Sequence, residues 1–102
     1  LIAKTVSIDC WAGKPNILVV TPKNIEREYE NTAVGSTMGK GCAQKSEQLG
    51  EEYKKIAEMM GVYYFDANTV VKDYNKIDYM HRDEEGHKAL AAALAQLIPT
   101  IV

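Results

Sequence analysis

Asp78-Tyr79-Met80-His81 sets a carboxylate and an imidazole three residues apart on a loop, with a helix expected to begin just beyond. On a loop, side chains at that spacing can turn toward each other. The acid then accepts the Nδ1–H of the ring, fixes its tautomer and leaves Nε2 free to act as a base. Such a base needs a group to deprotonate. The three serines do not supply one: Ser7 falls in a helix-like stretch, Ser36 in a glycine-rich loop, and Ser46 is expected on the outer part of a helix.

The elements that would hold this loop can be read from the spacing of apolar residues. Downstream, residues 83–98 carry the ladder Leu90, Leu94, Leu97 of an amphipathic helix. Asp83 is its expected cap, Glu84 and Glu85 favour its N-terminal dipole, and Pro99 is expected to stop it. His87, near the start of that helix, is expected to pack or hydrogen-bond locally. Upstream, residues 42–60 form the clearest helix, with Leu49, Tyr53, Ile56, Ala57 and Met60 on one face, Glu51 pairing with Lys55, and Gly61 ending it. Gly50 slightly weakens its middle. Asn16 to Thr21 and Val62 to Phe65 read as strands. The first is an unbroken aliphatic run, the pattern of a strand covered on both faces in a parallel sheet. Residues 1 to about 12 resemble the end of an amphipathic helix closed by Gly13, Lys14 and Pro15. Residues 23–41 read as a long polar loop, and a helical turn is expected over 67–71.

A strand–helix–strand order implies a parallel pair. Function in open parallel sheets gathers at the C-terminal strand ends, where Thr21, Asp66 and the Asp78–His81 loop are expected to emerge. Two strands alone leave both sheet edges open and a layer of core missing. Residues 1–102 are therefore expected to form the C-terminal part of a single α/β domain. Its sheet would be completed by an N-terminal segment outside this sequence or by another subunit, for example in a homo-oligomer. The apolar opening Leu1, Ile2, Val6, Ile8 supports the same expectation.

Composition narrows the function classes. The net charge is −2 and the basic residues are dispersed, so neither a nucleic-acid stripe nor a membrane-binding patch is expected. The longest apolar run, Ile17 to Val20, is too short to span a bilayer. Two cysteines, Cys10 and Cys42, make no disulfide framework, and the expected compartment is cytoplasmic. Gly35-Ser36-Thr37-Met38-Gly39-Lys40-Gly41 only superficially matches a phosphate loop. Its glycines are one residue too close, and Gly41 stands where Ser or Thr is required. His81-Arg82-Asp83 begins like a kinase catalytic loop, yet Lys88 occupies the asparagine position. Asp78, His81, Asp83 and His87 fit no metal-ligand spacing, and neither a metal nor a cofactor is expected.

The run from Asp78 to Ala91, with Asp-x-x-His followed by Gly86-His87-Lys88-Ala89-Leu90, resembles the closing motif of the SGNH (GDSL) hydrolases. Pro15 to Pro22, Lys45-Ser46-Glu47-Gln48-Leu49 and Phe65-Asp66-Ala67 are also similar, the second to the arylesterase-like branch. The resemblance covers roughly Lys14 to Ile98. It implies part of a flavodoxin-like three-layer α/β/α sandwich with parallel strands, and hydrolysis of short-chain aryl or carbohydrate esters by a Ser-His-Asp triad. His81 would be the general base and Asp78 its orienting carboxylate, with Tyr79 and Met80 against the substrate. Tyr79 stands where the family often has Gly, and Arg82 where it often has Leu. The nucleophile segment and oxyanion-hole blocks are absent from these residues, which are expected to be inactive alone. The alternative from another class is a non-catalytic α/β binding or assembly module.

Overall fold

The computed structural model describes residues 1–102 and is a mixed α/β fold. In chain order it contains α1 (Ile2–Ser7), β1 (Leu18–Thr21), a 3-10 turn at Arg27–Asn31, a short α2 (Gly35–Met38), α3 (Cys42–Met60), β2 (Tyr63–Asp66), a 3-10 turn at Ala67–Thr69, and α4 (Glu84–Ile101). The strands pair in parallel, with Leu18 opposite Tyr63 and Thr21 opposite Asp66. A parallel pair joined by a helix is what the spacing predicts.

The helix α3 has the bounds its periodicity implies, but its closest face is made of small residues. Ala43, Ser46 and Ala57 are buried. Tyr64 donates its hydroxyl proton to the Gly50 carbonyl at 3.0 Å and accepts one from Thr21 at 2.9 Å. A Cβ at Gly50 would meet only ordinary contacts, 3.6 Å from the Asp66 carboxylate and 3.8 Å from the Tyr64 hydroxyl, so residue 50 serves the packing through its carbonyl. Tyr53, Ile56 and Met60 remain 37–46% exposed. They flank an apolar groove of about 710 Å³ with Leu1, Ile2, Ile17 and Leu18 to Val20. Both faces of β1 were expected to be covered; instead Leu18, Val19 and Val20 are only half-buried and Thr21 alone is fully buried.

Several local expectations are corrected. Ser46 lies inward: its hydroxyl donates to the Ala43 carbonyl at 2.7 Å and accepts from the Ile25 amide at 2.8 Å. Residues 35–41 are a short helix and a cap rather than an open loop. Gly41 takes φ 92° before α3, and a Cβ on Gly35 would overlap the Glu30 carbonyl. Helix α1 ends at Ser7, well short of Gly13. Lys55 pairs with Glu52 at 3.2 Å rather than with Glu51. Helix α4 runs through Pro99 to Ile101. A proline there forfeits only a bond in the exposed last turn, where Thr100 Oγ1 donates to the Leu97 carbonyl at 2.6 Å. His87 is exposed and its ring makes no hydrogen bond.

The chain exposes 7097 Å², whereas a compact monomer of its 11.3 kDa mass would expose about 5,700 Å². Its radius of gyration, 15.9 Å, exceeds the roughly 12.8 Å of a compact chain of this length. Only nine residues are buried, so these elements leave apolar faces without cover. No helix is long and apolar enough to cross a membrane.

Candidate functional site

The loop 70–83 is fixed at three points. At its base, Val71 and Tyr74 are buried, and Val71 lies against Gly86, where an added Cβ would meet it at 3.2 Å. Tyr74 and Arg82 form an antiparallel bridge. At its outer end, the Asp83 carboxylate accepts from the Gly86 amide at 2.7 Å and caps α4, as its position predicts.

The third attachment joins this loop to the segment leaving β1. Tyr74 donates its hydroxyl to the Lys23 carbonyl. The Lys23 ammonium sits 4.4 Å above the Tyr74 ring and 3.3 Å from the Glu26 carboxylate. The Glu26 amide donates to the Tyr79 carbonyl at 3.1 Å. Burial, and then the Glu26 charge, push the Tyr74 hydroxyl above its ordinary range, so it stays a donor. No role for Lys23, Glu26 or Tyr74 is legible from local spacing, because the bonds that join the two segments, Tyr74 to Lys23 and Glu26 to Tyr79, span about fifty residues of chain.

Asp78 and His81 meet. The imidazole Nδ1 lies 2.6 Å from Asp78 Oδ2. The other carboxylate oxygen, Oδ1, accepts from the Met80 amide at 2.9 Å and the His81 amide at 3.0 Å. The His81 amide, then the Met80 amide, then the imidazole hold the Asp78 carboxyl well below the usual range, so it is a fixed anion at neutral pH. A fixed anion selects the Nδ1–H tautomer and leaves Nε2 with its lone pair outward. The His81 ring is 81% exposed and Asp78 only 18%. Tyr79 and Met80, between them, are half-buried. Tyr79 adopts φ 58°, in the left-handed region.

No hydroxyl in the chain pairs with His81. Ser7 and Ser36 donate to carbonyls three residues before them, and Ser46 is buried with both its bonds used. Asp66, at the end of β2, caps its own turn through the Asn68 amide at 2.9 Å. Nowhere do three or more His, Cys, Asp or Glu side chains converge into a metal-binding group. What the site holds is an imidazole oriented by a carboxylate on an open surface.

No protein-family model and no curated protein matches the sequence. Solved structures do. The native aryl esterase of M. smegmatis superposes with a TM-score of 0.81 at 23% identity, over 99% of this chain and 47% of that one. Its inhibitor-bound form matches at 27% identity and TM-score 0.72, over 87% of this chain and 40% of that one. A carbohydrate acetylesterase from Sinorhizobium meliloti matches at 27% identity and TM-score 0.69, over 86% and 40%. The chain thus resembles aryl esterase and carbohydrate acetylesterase chains, and spans less than half the length of each.

Proposed function

We propose that residues 1–102 are the C-terminal part of a single SGNH-type domain and carry the base half of a serine esterase acting on short-chain aryl or carbohydrate esters. The observation that carries the reading is the 2.6 Å contact from His81 Nδ1 to an ionised Asp78, with the ring open to approach. A serine from a segment outside these residues attacks the ester carbonyl. His81 Nε2 takes its proton and returns it to the leaving alcohol, and water repeats the cycle on the acyl-enzyme. Asp78 stabilises the imidazolium, while Tyr79 and Met80 flank the substrate. No cofactor enters the scheme.

Because each serine of this chain is engaged locally, these residues alone are read as inactive. The uncovered apolar faces are read as the contact for the serine-bearing segment or for a second subunit of a homo-oligomer. A fluorophosphonate probe tests the reading. The protein that joins this sequence to its serine segment should be labelled stoichiometrically, and residues 1–102 alone should not. Absence of label on the longer protein would favour a non-catalytic assembly module instead.

A further inference from the structure

The span from residue 75 to residue 81 is closed by Asn75, through its side chain and its backbone. The Asn75 carboxamide oxygen accepts from the amides of Ile77 at 2.9 Å and Asp78 at 3.1 Å. Its nitrogen donates to the His81 carbonyl at 2.8 Å. The Asn75 backbone amide reaches that same carbonyl at 3.1 Å, and its own carbonyl accepts from Tyr79 at 3.3 Å. The two residues whose side chains meet are thus held through their backbones by opposite ends of one amide.

We infer that Asn75 is a positioning residue for His81, setting the pose of the Asp78–His81 pair without touching substrate. The inference rests on the reading of His81 as the base. Three facts support it. The ring is 81% exposed, so little packing fixes its direction, and the backbone plus one hydrogen bond must do so. The middle of the loop contains Tyr79 at φ 58°, a conformation that persists only where the surroundings over-determine it. And the task needs a side chain with an acceptor and a donor at this reach. Aspartate would turn an oxygen toward the His81 carbonyl, serine falls short, and glutamine is a methylene too long.

The test uses the protein that includes the serine segment, with Asn75→Ala and Asn75→Asp. The second variant keeps the two acceptor bonds that close the turn and puts an anionic oxygen, which cannot donate, against the His81 carbonyl. Hydrolysis of p-nitrophenyl acetate is followed on the alkaline plateau of the pH profile, and the His81 ring nitrogens are followed by 15N NMR. A small misplacement of a reacting group costs up to about 100-fold. Both variants should therefore lose roughly 10- to 100-fold in kcat, with KM held within about two-fold. The population of the Nδ1–H tautomer should fall in parallel. Wild-type kcat with a wild-type ring spectrum in Asn75→Asp overturns the inference, whether or not Asn75→Ala folds. If the unmutated protein does not hydrolyse the ester, the esterase reading fails separately. The ring spectrum then still decides whether Asn75 governs the His81 pose, an unchanged spectrum overturning it.

Discussion

At the scale of single residues, the surroundings of Asp78 strongly favour its charged form. Two amides and the imidazole favour its anion, so its folded-state pKa is depressed. The associated stability is present above the ordinary aspartate value of about 3.9 and is lost only as pH falls through the lower, folded value. The Asp78 carboxyl carbon, followed by NMR, should titrate below that ordinary midpoint, and a normal midpoint would mean the amides are not engaged. Tyr79 gives a second residue-scale prediction. Its left-handed φ costs a non-glycine residue about 1–2 kcal/mol, and a β-branched residue tolerates that region worst. Tyr79→Val should therefore lower Tm more than Tyr79→Gly, although valine retains more apolar surface. The reverse order would show that side-chain contact, not backbone strain, dominates there. The resemblance already marked residue 79 as the place where glycine is usual. The backbone reason was not legible, because nothing in the letters Asp-Tyr-Met-His specifies a positive φ.

At the scale of elements, periodicity was legible where one helix met one sheet, and deceptive where small polar residues did the packing. The limits of α3 and the Asp83 cap follow directly from spacing and residue type. Ser46 was misplaced because a serine beside Lys45 and Glu47 looks solvated, and its partner, the Ile25 amide, lies 21 residues away. The large residues of α3 looked like its core face, yet Tyr53, Ile56 and Met60 stay partly exposed along the groove beside β1, and the buried residues of the helix are Ala43, Ser46 and Ala57. Residues 35–41 misled in the opposite sense, since three glycines suggest slack where the chain is in fact tightly turned. Gly35→Ala should consequently destabilise the protein by more than the roughly 1 kcal/mol typical of a point substitution, because the clash is with backbone. A denaturation midpoint at or above wild type would contradict that packing. Asp83→Ala should cost about 1 kcal/mol through loss of the α4 cap, read from the same titration.

At the scale of the whole molecule, the surplus surface is the dominant fact. About 1,400 Å² more is exposed than a compact chain of this mass would show, against roughly 800 Å² per partner in a typical stable interface. Residues 1–102 alone should then sediment as dimers or larger species and bind an apolar dye. A monodisperse monomer without dye binding would contradict that. The serine segment, added or fused, should suppress both. The account as a whole depends on the base at position 81, and His81→Ala in the serine-bearing protein tests it most directly. Removal of a general base costs about 10²- to 10⁴-fold, so hydrolysis of p-nitrophenyl acetate should fall by that much. Activity within a few-fold of wild type, in a variant that folds as well as wild type, would contradict the account.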